Sequence, residues 1–171
     1  MEGVYFMCPG PVLSTITIMN TMGLRFHSVV SSTTRRCLDT ARDVSEAVPC
    51  QFPAFVSDLI LPQGTGRVRE PCSVLKVDYP TIDFTDYFEE SLWLPEVAES
   101  DELLIQRVKS LMRVVNRMEG IVLVIAPVDL IRTYSGVSLS PGGFFKQHEN
   151  EDLGNWRSFM SSSTSAHTSS A

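Results

Sequence analysis

One amphipathic segment that leads directly into an unbroken apolar segment constrains the fold of this chain most. Within residues 100–119 the apolar side chains recur at helical spacing, namely Leu104, Val108, Leu111, Val115 and Met118. This spacing predicts a helix over 100–119, with Ser100 as its N-cap and Gly120 as its stop. The five residues that follow Gly120 are all apolar, which is typical of a buried strand. A helix joined so closely to a buried strand requires a sheet for both to pack on.

Two segments near the N-terminus predict strands. Residues 12–19, VLSTITIM, alternate isoleucine with threonine, and residues 24–30, LRFHSVV, alternate again. The segment between them contains Asn20 and Gly23 and can turn the chain, so we expect a β-hairpin or meander here. A helix is predicted over 34–48, capped by Thr33 or Thr34. A further strand is predicted over 74–79.

These elements predict an α+β fold, in which an antiparallel or mixed sheet packs with two main helices at about 34–48 and 100–119. The N-terminal alternation favours antiparallel pairing, whereas the helix followed by a buried strand is compatible with a mixed sheet. The apolar fraction of 43% is sufficient for a core. We expect one globular domain over 1–160. Residues 161–171 are rich in Ser and Thr and predict a disordered tail.

The charges are unevenly distributed along the chain. Ten acidic residues lie between Glu70 and Glu102, and only Lys76 opposes them. The next stretch is basic, with Lys109, Arg113 and Arg117 at four-residue intervals. These runs are interpreted either as the solvated faces of neighbouring elements or as surfaces that select a partner of opposite charge.

An acidic and aromatic stretch over 83–96 gives the clearest indication of binding. Its apolar residues recur every four positions, so on a helix they form a stripe flanked by carboxylates, which can insert into a partner's groove. The same stripe can pack on the chain's own sheet instead. Together with the basic side of the 100–119 helix, it predicts a partner-binding or self-association surface formed by Phe84, Phe88, Leu92, Trp93, Lys109, Arg113 and Arg117.

Local motifs for catalysis, metal binding or nucleotide binding are absent from the sequence. The four cysteines form no C-x-x-C pair, and no histidine lies at metal-ligand spacing from another histidine or a cysteine. The run LVIAPVDLI resembles the base-specificity strand of phosphate-loop GTPases, but only Asp129 matches it and no phosphate loop is present. Asp129 is therefore expected to cap a turn or short helix. We assign no catalytic residue, no metal ligand and no cofactor.

Composition limits the environment and the partners of the chain. No apolar run reaches the ~18 residues that a membrane-spanning helix requires, and the net charge of −6 does not favour nucleic acid. Four widely spaced cysteines are typical of reduced thiols in an intracellular, cytoplasmic protein. The acid-free segment 3–38, with three arginines, also fits an organelle transit peptide.

Two classes of function remain open. The first is a non-enzymatic binding or assembly protein that acts through protein–protein contacts, as a homo-oligomer or with a protein partner. The order of elements resembles that of small viral matrix or accessory proteins, although no motif supports this comparison. The second is a small enzyme or ligand-binding domain with a site assembled from scattered residues. A pocket that contains Asp129 or a histidine would favour the second class.

Overall fold

The structure, a computed structural model, describes residues 3–63, 68–85, 92–93 and 99–147. Its main sheet contains the strands β1 (Gly3–Met7), β2 (Phe26–Ser31), β3 (Phe55–Val56), β6 (Ile121–Ile125) and β7 (Phe144–Lys146). Their order is β3-β2-β6-β1-β7. The first four strands of this order run parallel, and β7 is antiparallel to β1. The short strands β4 (Val68–Arg69) and β5 (Leu92–Trp93) form a separate antiparallel pair.

Helices cover both faces of the main sheet. The described part of the chain contains α1 (Leu13–Thr21), α2 (Arg35–Ala47), α3 (Cys72–Asp78), α4 (Asp101–Val115) and α5 (Val128–Ser135). Side chains of α1, α2 and α3 share one apolar core with one face of the sheet. Side chains of α4 and α5 share a second core with the opposite face. The sheet is thus the middle layer of three.

The central strand β6 explains the apolar run in the sequence. It pairs in parallel with β1 on one side and with β2 on the other, and all five of its residues are buried. A strand that lies between two neighbours and beneath helices on both faces has no side exposed to water. An apolar residue at every position, rather than at alternate positions, satisfies that environment.

The fold class and both main helices are confirmed. The structure has a mixed five-stranded sheet of the α+β class, with α2 and α4 at the positions predicted for 34–48 and 100–119. Ser100 is the N-cap of α4, and its hydroxyl accepts a hydrogen bond from the backbone N–H of Leu103 at 3.3 Å. The predicted buried strand is β6. Asp129 lies in the first turn of the short helix α5 but is not its cap as predicted, because the N-cap residue is Pro127 and no side-chain capping bond is made.

The N-terminal hairpin prediction is wrong. Most of VLSTITIM belongs to helix α1, and β1 and β2 are not paired with each other, because β6 lies between them. Two parallel strands need a crossover of a dozen or more residues, which α1 provides. The hydroxyls of Thr17 and Thr21 donate to the carbonyl oxygens four residues earlier. Thr17 is one of the two threonines whose alternation with isoleucine suggested a strand, and its hydroxyl is satisfied within the helix.

The strand predicted over 74–79 is also wrong, since this segment lies mostly in helix α3. Its buried side chains are Cys72 and Leu75, and Tyr79 is buried just beyond the helix. These positions follow a helical spacing that packs on α2. Val74 and Val77 are exposed, Val77 at 77%. The apolar content of this segment therefore did not distinguish a strand from a helix.

Several sequence-based expectations concern residues that are not described. The tail over 161–171 and most of the 83–96 segment, Phe88 included, lie outside the described residues. The single domain over 1–160 stays a prediction. No helix among the described residues is both long and apolar enough to cross a membrane.

We predict that Val108→Asp severely destabilises the protein, whereas Arg113→Ala changes its free energy of unfolding by no more than about 0.5 kcal/mol. Val108 is completely buried in the core beneath α4, and a carboxylate there would lose its hydration without gaining a partner. Arg113 is exposed on the same helix. Denaturant titration measures both variants, and similar unfolding midpoints would show that the faces of α4 are wrongly assigned.

Candidate ligand site at the ends of the parallel strands

The connections that leave the carboxyl ends of β1, β2 and β6 diverge to opposite faces of the sheet. Those after β1 and β2 lead to α1 and α2 on one face, whereas the connection after β6 leads to α5 on the other. A crevice opens where neighbouring connections separate in this way. In parallel sheets, such a crevice at the carboxyl ends of the strands is the usual place for a ligand.

A cavity of about 420 Å³ occupies this position. Each of the three strand ends contributes to its lining, as do the segments around Pro62 and Leu139. The lining residues are Cys8, Pro9, Thr34, Arg35, Arg36, Pro62, Pro127, Val128, Asp129, Leu139 and Pro141. Volumes of roughly 300–1,000 Å³ are typical of small-molecule sites.

Hydrogen bonds between distant segments hold the cavity wall that precedes β7. The backbone N–H of Cys8 donates to the carbonyl of Gly143 at 3.1 Å, and the Cys8 thiol donates to the carbonyl of Ser140 at 2.7 Å. On the other side of the loop, the Thr15 hydroxyl donates to the carbonyl of Gly142 at 2.7 Å. Gly142 has φ +75°, a backbone conformation that residues other than glycine rarely adopt. The loop is thereby held against the end of β1.

Two adjacent arginines at the start of α2 differ in whether their charge is available to a ligand. Arg35 is paired with Glu70 at 2.5 Å and with Asp78 at 2.7 Å. These two carboxylates raise the pKa of Arg35 above its ordinary value and neutralise its charge locally. Arg36 is exposed, and its guanidinium has no ion pair or hydrogen bond with any residue that the structure describes. Arg36 is therefore the cation in the cavity lining that remains available to a ligand.

The N-terminus of α2 adds to the positive character of this side of the cavity. Thr34 is the N-cap residue but makes no side-chain capping bond. The N–H groups of the first turn carry the positive end of the helix dipole, which stabilises nearby anions. The effect on its own is modest, and here it acts in the same direction as the charge of Arg36.

The lining residues do not form a catalytic group among the described side chains. Asp129 is highly exposed and paired with Arg132 at 3.0 Å. The Cys8 thiol is buried and donates to a carbonyl. Burial raises the pKa of the neighbouring Cys37 thiol to about 12, so that this thiol stays protonated near neutral pH. No histidine lines the cavity, and the described residues contain no cluster suited to a metal ion.

A second cavity, of about 600 Å³, lies at the opposite ends of β2 and β6. It contains the exposed side chains of Arg25 and Glu119, together with His27. The His27 ring contacts the Gln51 side chain at 3.1 Å and packs edge-on against Phe52. This cavity is at the amino ends of the strands, whereas ligands of parallel sheets usually bind at the carboxyl ends.

The structure describes the predicted partner-binding residues only in part. Phe84 is buried in the core that contains α3 and is 3% exposed. Leu92 and Trp93 form β5, and Phe88 lies outside the described residues. Lys109, Arg113 and Arg117 are exposed, the first two on α4 and the third just after it. The surface proposed from these seven residues stays a prediction.

Neither the cavity nor a role for Arg36 was predicted from the sequence. The arginine pair follows a strand directly and opens a helix, and that position is a signal for a strand-end site. This signal points to a site only if β2 is parallel to its neighbours. The predicted antiparallel hairpin implied the opposite arrangement. Asp129 was singled out, and the structure places it at the cavity.

Comparison of the sequence with protein-family models finds no match, and comparison with curated proteins finds none either.

We predict that Gly142→Ala destabilises the protein more than Gly23→Ala. Both glycines have positive φ, +75° and +68°, so each substitution costs roughly 1–2 kcal/mol of backbone strain. A Cβ on Gly142 would also lie 2.3 Å from the carbonyl oxygen of Pro11, whereas Gly23 faces open space. Thermal or denaturant unfolding measures the difference. Equal losses would mean that the loop is not packed tightly against the end of β1.

Proposed function

We propose that this protein is a non-catalytic ligand-binding domain that holds a small anion at the carboxyl ends of β1, β2 and β6. The observation that carries the proposal is the guanidinium of Arg36, which is unpaired among the described residues and lines a cavity of about 420 Å³. Two independent features support the choice of an anion. They are the unsatisfied charge of Arg36 and the N-terminus of α2 beside it.

The ion pairs of Arg35 distinguish its role from that of the neighbouring Arg36. Its pairs with Glu70 and Asp78 tie α2 to α3 and to the segment before it, so the role of Arg35 is structural. If Arg36 also had carboxylate partners within the chain, it too would belong to an ion-pair network with a structural role. Arg36 has no such partner among the described residues, which is the arrangement expected where the counter-charge comes from a ligand.

Binding fits the lining better than catalysis does. Acid–base chemistry needs a group that can exchange a proton near neutral pH and that reaches the ligand. Among the described lining residues, Asp129 is tied to Arg132 and the Cys8 thiol to the carbonyl of Ser140. Neither arrangement activates the group. The second class of function was a small enzyme or a ligand-binding domain. Of these two, the cavity favours the ligand-binding domain.

Removal of the Arg36 charge should weaken anion binding without unfolding the protein. We expect Arg36→Ala to reduce the affinity for inorganic phosphate at least tenfold, since hydrogen bonds to charged groups contribute about 1.5–3 kcal/mol. Isothermal titration calorimetry at low ionic strength measures this change.

Arg25→Ala is the matched control, because Arg25 is an exposed arginine at the other end of the sheet. Its affinity should equal that of the unmodified protein. If neither phosphate nor a simple carboxylate such as acetate binds, or if the two variants lose affinity equally, the strand-end cavity is not an anion site.

A second candidate function is protein–protein association through the basic side of α4. Lys109, Arg113 and Arg117 are exposed at four-residue intervals, and none of them has an ion pair with a residue that the structure describes. The acidic residues between Glu70 and Glu102 supply complementary charge on the same chain. Pairing between two copies would bring the opposite charges together, with Trp93 as a candidate apolar contact.

Association of this kind should weaken when the basic side is reversed in charge. We expect the triple variant Lys109→Glu, Arg113→Glu and Arg117→Glu to sediment as a monomer under conditions where the unmodified chain self-associates. Raising the salt from 0.1 to 1 M should act in the same direction, since the screening length falls from about 10 to about 3 Å. A chain that is monomeric at every concentration, or an oligomer indifferent to both changes, removes this candidate.

A further inference from the structure

The lining of the strand-end cavity is largely apolar apart from Arg36 and a few other polar groups, and these apolar residues are called its apolar wall here. Six of its lining residues are apolar, and four of those are prolines: Pro9, Pro62, Pro127, Val128, Leu139 and Pro141. Proline has no backbone N–H, so the four prolines present no hydrogen-bond donor from their own backbone. Val128 is 41% exposed, which leaves part of its side chain accessible to a bound molecule. This wall suits a hydrocarbon group better than a hydroxylated one.

The charges around the cavity limit the ligand to a low negative charge. Arg35 is paired with two carboxylates, Glu70 and Asp78, and the carboxylate of Asp129 in the lining is paired with Arg132. Arg36 is thus the only arginine of the described lining without a carboxylate partner, and no excess of positive charge surrounds it. A polyanion such as a diphosphate would bring several negative charges to a site where only Arg36 is available to pair with them. The remaining charges would lose hydration without gaining a partner. A monoanion is matched by the guanidinium of Arg36.

We infer that the ligand is a monocarboxylate that carries an apolar group, with its carboxylate at Arg36 and its hydrocarbon part against the proline-rich wall. Guanidinium and carboxylate can form two parallel hydrogen bonds, which fixes the orientation of the head group. The hydrocarbon part then gains affinity from its removal from water. This inference rests on the proposed anion site and adds the chemical class of the ligand.

The affinity should therefore rise with the length of the hydrocarbon chain. Burial of each CH₂ group corresponds to about 0.8 kcal/mol, or roughly a fourfold gain in affinity. We expect dissociation constants to fall about fourfold for each added carbon along acetate, butanoate and hexanoate, as far as the cavity admits the chain. Calorimetry or ligand-observed NMR measures the series, with hexanol as the uncharged analogue and inorganic phosphate as the anion without a hydrocarbon part.

Variants separate the contributions of the wall and of the charge. Val128→Ser should reduce the gain in affinity from acetate to hexanoate, and Arg36→Ala should weaken the binding of all the carboxylates. Val114→Ser is the matched control, because Val114 is an exposed valine on α4 at 54% and is not part of the lining. It should alter none of the affinities.

The outcomes distinguish this inference from the proposal on which it rests. If acetate, hexanoate and phosphate bind equally and all depend on Arg36, the apolar-ligand inference is wrong and the anion site stands. A preference for phosphate over hexanoate would likewise overturn the apolar-ligand inference and leave the anion site in place. If hexanol binds as well as hexanoate, or if no anion binds, the anion site itself fails and the inference fails with it.

Discussion

The pairing of β6 with β1 on one side and β2 on the other is the constraint on which the rest of the structure depends. All three strands run parallel, so the chain must return across the sheet between them, and helices supply those returns on both faces. With both faces covered, every residue of β6 is buried and apolar. The same pairing brings the ends of three strands to one edge, from which their connections leave toward opposite faces.

That divergence places a cavity in the fold, and the residues that follow the strands give it its chemical character. Its lining includes four prolines and a valine as well as Arg36. The ion pairs of Arg35 and Asp129 contribute indirectly, because they commit two other charges to partners within the chain and leave Arg36 uncompensated. A binding site here thus depends as much on which charges are satisfied internally as on which residues are present.

The parts of the fold that the sequence predicted are those in which the periodicity follows burial. In α4, the buried residues Leu104, Val108 and Leu111 repeat at helical spacing, and β6 is apolar throughout. Prediction failed for α1 and α3, where apolar residues such as Ile18 and Val77 are exposed, so that the apolar pattern does not follow burial. Their helical state depends on the topology of the sheet and on packing, which a short segment does not reveal. The cavity was missed for the same reason, because its residues meet only through the parallel arrangement of strands distant in sequence.

The central claim is that ligands enter at the carboxyl ends of the strands around β6, and mapping of backbone amide chemical shifts during an anion titration tests it most directly. The account predicts that hexanoate perturbs the amides of Thr34, Arg36, Val128 and Leu139, with one saturating dissociation constant. Amides at the opposite end of the sheet, such as those of His27, Gln51 and Gly120, should stay unchanged. Saturable shifts confined to that opposite end, or no saturable shifts at all, would contradict it.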